Sequence, residues 1–376
     1  MDTALPDLAA RNLGGSVLAA NDEFFAEKEN LIKPGPPVFR PHTFTPKGQE
    51  YDGWETRRRR GVPGEDWVIV RLGVPGIPRA IVVDTSFFKG NYPEQATVHG
   101  AALTGYPTEA ELDAADWVEL VPRSPLQGHT QNEFAVRTSL RITHIRLTIH
   151  PDGGVARLRV HGEPLPDPRD LVGVPLDLAA TASGGRAVQA SDGFFSPPDN
   201  MLQPGESKYM SDGWETARRR GDGNDWAVLR LTAEAIPRVI EVSTLHYKGN
   251  SPGAVTLSGR TADGDWAPLL PRTALLPDTG HRFRVPEPRP VTEIRLDIHP
   301  DGGVGRLRVY GPLTTAGRHD LALRWFNALS GAQAKAVLQA HGLSENDSIA
   351  LLHVRPATQL PAVLRELGRD TFPSPE

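Results

Sequence analysis

Short stretches of alternating apolar and polar residues recur along the chain and predict half-buried β-strands. Thr143–Ile149 and Arg157–Val160 alternate in this way, and Trp67–Leu72 is a short apolar-rich run. Successive side chains of a strand point to opposite faces, so a two-residue period places one face on a core and the other in solvent. The glycine-rich turn His150–Gly154 joins two of these segments. Closely spaced strands separated by turns favour a β-sandwich or jelly roll.

The same blocks occur twice, in the same order. Asp52–Gly61 reads DGWETRRRRG and Asp212–Gly221 reads DGWETARRRG, so nine of the ten positions are identical. Ile149–Gly162 recurs as Ile298–Gly311 with two changes. Smaller shared blocks are Asp22 with Phe24-Phe25 and Asp192 with Phe194-Phe195, Asp66-Trp67 and Asp225-Trp226, and Lys89-Gly90-Asn91 and Lys248-Gly249-Asn250. The sequence therefore predicts two copies of one domain, with insertions in the surface loops between fixed blocks.

Beyond the second copy the pattern becomes helical. Residues 318–341 lack proline and carry apolar residues at helical spacing, and Gly342 is well placed to end a helix. A second helix is predicted from Gln359 to Leu367. The predicted organisation is an N-terminal tail over 1–14, a first jelly-roll repeat over 15–165, a linker over 166–180, a second repeat over 181–313 and a helical appendix over 314–376.

Composition narrows the classes of function. The chain has 376 residues, a net charge of −5 and no cysteine. The negative net charge differs from the basic charge typical of a nucleic-acid binder. The absence of cysteine excludes disulfides, thiolate ligands and cysteine nucleophiles. No run approaches 18 apolar residues, and the first residues lack the pattern of a secretory signal, so no membrane association and a cytoplasmic location are expected. The 37 glycines and 35 prolines favour many short strands with turns.

The blocks DGWETRRRRG, DW, FFKGN and IHPDGG, with their counterparts in the second copy, resemble the allantoicase family over about residues 15 to 311. The resemblance implies an all-β fold of tandem, duplicated jelly-roll domains similar to galactose-binding-like domains. It also implies hydrolysis of allantoate to ureidoglycolate and urea in allantoin and purine degradation. Trp325–Ser330 and Arg355-Pro356 resemble part of ureidoimidazoline decarboxylase, but the segment is too short for that domain. A docking or oligomerisation role is expected for it, and the protein is expected to be a homo-oligomer.

Allantoate carries a carboxylate and two ureido groups on one carbon, so its site needs a cationic fork, polar partners and a group that exchanges protons. The candidate catalytic residues are Glu55, His150 and Asp152 in the first copy, and Glu215, His299 and Asp301 in the second. The candidate substrate-binding residues are Arg58, Arg60, Lys89 and Asn91 in the first copy, and Arg219, Lys248 and Asn250 in the second.

Each candidate also has a structural interpretation. The arginine tract can form an internal ion network, the Lys-Gly-Asn blocks can be plain turns, and the His-Pro-Asp blocks can be hydrogen-bonded turns. Trp54 and Trp214 are expected in the core. No cofactor is expected, although a divalent metal held by histidine and carboxylates is an alternative.

The rival function is a non-catalytic tandem β-sandwich module that binds a small, carbohydrate-like ligand. Fold alone does not separate such a module from an enzyme. Phe87 of the first copy is matched by His246 of the second. Whether one copy or both carry the active site is therefore left open.

Overall fold

The computed structural model describes residues 3–367, which form two compact units. The first contains the chain up to Leu165 together with Ala328–Ser330, and the second contains Pro166–Asn327 and the residues from Gly331 onward. Each unit is an antiparallel β-sandwich, and the second also carries α-helices, which confirms the predicted fold class. Among the described residues, no helix is both long and apolar enough to cross a membrane.

The first unit is organised by one long strand that belongs to both of its layers. Its strands are β1 (Ser16–Ala20), β2 (Phe44–Thr45), β3 (Gly48–Gln49), β4 (Trp54–Glu55), β5 (Asp66–Asp84), β6 (Gln95–Ala101), β7 (Val118–Pro125), β8 (Gln131–Ala135), β9 (Ile142–His150), β10 (Gly154–Val155) and β11 (Arg157–Pro164), with helix α1 (Glu109–Asp113) between β6 and β7. The first part of β5 lies in the order β1-β5-β9-β6-β7. Its second part pairs with β8 and β11, after a register shift between Arg71 and Gly76.

The second unit repeats this plan, with the long strand split in two. Its strands are β12 (Arg186–Ala190), β13 (Trp214–Glu215), β14 (Asp225–Ala235), β15 (Val239–Ser243), β16 (Ala254–Arg260), β17 (Ala267–Ala274), β18 (Gly280–Arg284), β19 (Val291–His299), β20 (Gly303–Val304) and β21 (Arg306–Tyr310). One layer has the order β12-β14-β19-β16-β17, and the other has the order β18-β15-β21. The matching orders show that the sequence blocks repeated along the chain occupy matching places in both sandwiches.

Each sandwich encloses its own apolar core. The alternating residues Ile145, Leu147 and Ile149 of β9 are fully buried, as the two-residue period predicts. The solvent-exposed face expected for this strand is wrong, since His144 and Thr148 are buried as well. Trp54 and Trp214 are also fully buried, which confirms their core assignment. Each indole Nε1 donates to the backbone oxygen of an aspartate that precedes the exposed phenylalanine pair, at 2.7 Å to Asp22 and 2.8 Å to Asp192.

The C-terminal helices differ from the sequence prediction. They are α2 (Thr315–Ala328), α3 (Gly331–Ala340) and α4 (Glu345–His353). The single helix predicted over 318–341 is interrupted at Leu329–Ser330, next to Gly331, a residue of low helix propensity. The helix predicted over 359–367 is wrong, since that stretch holds only the 3-10 turn Ala362–Leu364, and Pro361 cannot donate a helical hydrogen bond.

Candidate active site

A three-stranded ribbon at one end of the first sandwich carries the candidate acid. Strand β4 pairs with β10 on one side and with the backbone of Ala26 on the other. Alternation places Trp54 in the core, so the next residue, Glu55, projects from the opposite face of the ribbon. The backbone contacts on both edges of β4 hold the Glu55 main chain in place.

Glu55 is held beside an aromatic ring in a half-buried corner. Its carboxylate Oε1 accepts a hydrogen bond from Asn91 Nδ2 at 2.8 Å. Gly154 lies opposite Glu55 in the ladder, and Phe88 packs so closely there that a Cβ on Gly154 would lie 2.0 Å from Phe88 Cε1. Burial raises the pKa of the Glu55 carboxyl above its ordinary value, and the Asn91 hydrogen bond and the Arg58 charge oppose that effect. Such a carboxyl is suited to giving and taking a proton near neutral pH.

The arginine tract divides into structural and free members. Arg57 pairs with Asp22 at 2.6 Å. Arg59 pairs with the buried Asp66 at 2.7 Å. Arg58 and Arg60 are exposed and form no ion pair within residues 3–367. Arg57 and Arg59 therefore form ion pairs within the protein, whereas the alternate residues Arg58 and Arg60 remain available to bind a ligand.

The second copy shows that Arg219, the substrate-binding candidate named from sequence, is a structural arginine. Arg219 corresponds to Arg59, and it forms the matching ion pair with the buried Asp225. The residue equivalent to Arg58 is Arg218, which is exposed. Sequence reasoning missed Arg218, although the constant offset of 160 between the two blocks identifies it.

The His-Pro-Asp turns are used within the fold in both copies. His150 is buried, with Nε2 2.9 Å from Thr97 Oγ1 and Nδ1 2.9 Å from Glu65 Oε2. Asp152 accepts a hydrogen bond from the backbone N–H of Arg59 at 2.7 Å. Burial lowers the pKa of His150, with a further contribution from the charge of Arg123. These contacts do not bring His150 or Asp152 to Glu55.

The equivalent residues of the second copy have corresponding contacts. His299 Nε2 lies 2.9 Å from Thr256 Oγ1, and Asp301 accepts from the N–H of Arg219 at 2.8 Å. Burial also lowers the pKa of His299, and the nearby Arg272 contributes. The shared pattern favours a structural role for both His-Pro-Asp turns.

The Lys-Gly-Asn blocks each contribute one residue to a carboxylate. Asn250 Nδ2 lies 2.6 Å from Glu215 Oε1, as Asn91 does for Glu55. Lys89 is exposed, and Lys248 is exposed and lies 3.7 Å from Asp278. The asparagines therefore join the glutamates in both copies, and the lysines stay at the surface.

The corner of the second copy is partly filled by its own chain. Met210 Sδ lies 3.7 Å from Asn250 Nδ2, and the Tyr247 hydroxyl donates to the Met210 carbonyl oxygen at 2.5 Å. Tyr247 takes the place of Phe88 against the ribbon glycines. Burial raises the pKa of Tyr247, and the negative charge of Glu215 adds to this effect.

The first copy instead has a longer segment over this region. Residues 36–51, which we call the cover segment, are ten residues longer than their counterpart 206–211. Within it, Phe39 stacks on Phe87 with ring centroids 5.5 Å apart, and Tyr51 stacks on Phe88 at 4.9 Å. A cavity of about 620 Å³ is lined by this segment and by residues 23–33.

Within residues 3–367, no three or more histidine, aspartate or glutamate side chains lie together in an arrangement suited to a metal ion. The individual carboxylates of the candidate site instead have arginine, asparagine or backbone partners.

Comparisons with known proteins point to one family. The model of the allantoicase repeat matches residues 6–165 and 176–314. A probable allantoicase of Nocardia farcinica is 54% identical over 313 residues, covering 83% of this chain and 95% of the relative. A probable allantoicase of Streptomyces coelicolor is 50% identical, covering 86% of this chain and 89% of the relative.

A solved structure agrees with the sequence matches. The crystal structure of allantoicase from Saccharomyces cerevisiae is 36% identical to this chain, with a TM-score of 0.69, and the match covers 82% of this chain and 93% of that one. Helices α2 to α4 lie beyond the residues that the family model matches.

Proposed function

Because this chain belongs to the allantoicase family, we propose that Glu55 of the first repeat is the acid–base group with which it hydrolyses allantoate to ureidoglycolate and urea. The observation that carries the proposal is the position of this carboxyl. It is half-buried beside Phe88, is hydrogen-bonded to Asn91 and has a raised pKa. Family membership also favours the hydrolase over the non-catalytic binding module.

Arg58 and Arg60 supply the charge that allantoate requires. The substrate is an anion, and a guanidinium binds a carboxylate through two parallel hydrogen bonds. Arg58 is close enough to Glu55 to affect its pKa, and both arginines are free of other ion pairs among the described residues. We assign Arg58 to the substrate carboxylate, with Arg60 and the exposed Lys89 as further positive charges at the rim.

Glu55 can serve both halves of the reaction. The protonated carboxyl donates its proton to the departing urea nitrogen as the bond from that nitrogen to the central carbon breaks, and the lone pair of the remaining ureido nitrogen stabilises the electron-poor carbon. Water then forms the new C–O bond and gives its proton to the Glu55 carboxylate. The carboxyl is restored, and one water is consumed for each urea released. General acid–base catalysis of this kind contributes about 10²–10⁴-fold in rate.

Asn91 and Phe88 prepare this carboxyl for its role. The amide of Asn91 orients one carboxylate oxygen by donating to it, and its carbonyl oxygen is suited to accept a ureido N–H. Phe88 removes water from one side of Glu55, which strengthens electrostatic interactions there.

Two features favour the first repeat over the second. The cover segment and its aromatic contacts belong to the first copy alone. In the second copy Met210 lies against Asn250, so less room is left beside Glu215. We therefore give Glu215, Asn250, Lys248 and the arginines of the second copy a secondary role.

Three further expectations are part of the proposal. The protein acts in the cytoplasm, forms a homo-oligomer and needs no cofactor. The resemblance of the helical appendix to a ureidoimidazoline decarboxylase fragment stays a prediction, as do its docking role and the domain boundaries given above. Arg355-Pro356 and most of the appendix lie within the described residues, whereas 368–376 lie outside them.

The test is urea release from allantoate by purified variants. Glu55→Gln keeps an acceptor for Asn91 but exchanges no proton, so we expect turnover to fall by about 10²–10⁴-fold with the fold intact. Arg58→Ala is expected to raise KM and lower kcat/KM. Glu215→Gln measures the contribution of the second copy, and the larger loss is expected at Glu55. Wild-type turnover in folded Glu55→Gln would refute the assignment.

A further inference from the structure

A strained turn carries two of the residues that surround Glu55. Phe87 lies in the left-handed region with φ of 71°, directly before Phe88 and four residues before Asn91. Bulky residues rarely adopt this conformation, and it persists only where the surroundings impose it. The contact that holds Phe87 therefore also fixes the positions of Phe88 and Asn91.

That contact is made by His129. The backbone N–H of Phe87 donates to His129 Nδ1 at 2.8 Å. His129 is itself left-handed, with φ of 54°, and its own N–H lies 3.1 Å from the Thr85 oxygen and 3.0 Å from the Phe88 oxygen. His129 thus binds the turn through its side chain at Phe87 and through its backbone N–H at Thr85 and Phe88, on either side of the strained residue.

The second copy holds its turn by the same backbone hydrogen bond with a different acceptor. We call this bond, from the amide of the left-handed residue to a side-chain acceptor, the lock. His246, the equivalent of Phe87, has φ of 74° and donates its N–H to Asp278 Oδ1 at 2.8 Å. Asp278, the equivalent of His129, has φ of 50°. The threonine at the start of each turn also makes matching bonds, since the Thr85 N–H donates to the Thr130 oxygen at 2.9 Å and the Thr244 N–H to the Thr279 oxygen at 2.9 Å. The retained element is therefore an acceptor for one amide, supplied by imidazole in one copy and by carboxylate in the other.

We propose that His129 is a positioning residue for the hydrolase reaction, which acts by holding the Phe87 amide and thereby the Phe88–Asn91 side of the Glu55 corner. This inference rests on the assignment of Glu55 as the acid–base group. The acceptor must be unprotonated at Nδ1, because an imidazolium has two N–H donors and no acceptor.

The experiment exchanges the acceptor for the one that the second copy already uses. His129→Asp imports the side chain of Asp278 and is expected to keep most of the turnover at about pH 8. His129→Leu removes the acceptor and is expected to lower kcat about 100-fold, the cost of a shift of about 1 Å in reacting groups. Loss of turnover in His129→Asp equal to that in His129→Leu would overturn the proposal.

A second readout separates this inference from the proposed function. Hydrogen exchange at the Phe87 amide, measured without substrate, is expected to be faster in His129→Leu than in the wild type and slow in His129→Asp at pH 8. Unchanged exchange in His129→Leu rejects the lock whatever the turnover, whereas an active Glu55→Gln rejects the function and leaves the lock standing. His353→Leu, which removes an exposed histidine at the end of α4, is the matched control with expected wild-type values. If His129→Leu does not fold, the turnover of His129→Asp and its hydrogen exchange at the Phe87 amide still decide.

Discussion

Replacing Gly154 by alanine tests whether the packing of Phe88 sets both the stability of the first sandwich and the reactivity of its acid. A Cβ at this position would lie 2.0 Å from Phe88 Cε1 and 2.1 Å from Cδ1, against 3.4 Å for ordinary contact. The ring must therefore withdraw by about 1.4 Å or the ribbon must shift by a similar distance. Overpacking of this kind costs about 1–3 kcal/mol. For a domain of this size that corresponds to a fall of roughly 2–12 °C in Tm.

The same displacement is expected to lower the rate of catalysis, because Gly154 lies opposite Glu55 in the strand pair. A shift of about 1 Å lowers kcat/KM about 100-fold. Thermal unfolding and urea release measured on one preparation give both quantities. Gly35→Ala is the matched control, since nothing lies within 4 Å of its added Cβ.

A second substitution tests whether Phe88 itself is the cause. In the Gly154→Ala background, Phe88→Leu makes room for the methyl group and is expected to recover part of the lost Tm, which a double-mutant cycle measures. Gly154→Ala with the Tm and turnover of the wild type would show that the ring moves aside without consequence and would refute the reasoning.

Three other outcomes follow from the same geometry. Burial raises the pKa of Glu55 above its unfolded value, so its contribution to stability is present below the unfolded pKa and is lost as the pH rises through the folded pKa. The unfolding free energy of Glu55→Gln relative to the wild type should therefore rise between about pH 4 and neutral pH in denaturant titrations, and a difference that falls instead would contradict this. Arg59→Ala leaves the buried Asp66 without its ion-pair partner and should cost about 3 kcal/mol in the same titrations, far more than Arg60→Ala; equal costs would argue against the structural role of Arg59. Dialysis against a chelator should leave urea release unchanged, and a loss that Zn²⁺ or Mn²⁺ restores would establish the metal alternative.

The repeated sandwich could be predicted from sequence because its signals are local. The two-residue period of β9 and the near-identical blocks around Trp54 and Trp214 determine strand faces and duplication without knowledge of distant contacts. The C-terminal helices were harder, since apolar spacing alone does not locate the interruption at Leu329–Ser330. The cap of α4, where Ser344 Oγ accepts from the Asp347 N–H at 3.2 Å, is a signal that the apolar pattern does not contain.

The candidate site could be predicted only in part. Glu55 and Asn91 are each recognisable in a repeated block, but their hydrogen bond joins residues 36 positions apart and depends on the whole sandwich. The division of the arginine tract depends on buried partners such as Asp66, which pattern reasoning did not identify. The place of Phe88 beside Glu55 could not be predicted, because nothing in the sequence indicates that two ribbon glycines, Gly53 and Gly154, admit its ring.

The adjacency of Trp54 and Glu55 has a consequence for how this enzyme can evolve. Trp54, which packs in the core, and Glu55, the proposed acid–base group, are joined by one peptide bond. A substitution that shifts or tilts this ribbon therefore changes both core packing and catalysis, so mutations there are expected to lower stability and activity together. The cover segment meets the site mainly through Phe39 and Tyr51. Laboratory libraries seeking new ureido substrates should therefore randomise the other residues of 36–51 and leave these two aromatics and the ribbon unchanged.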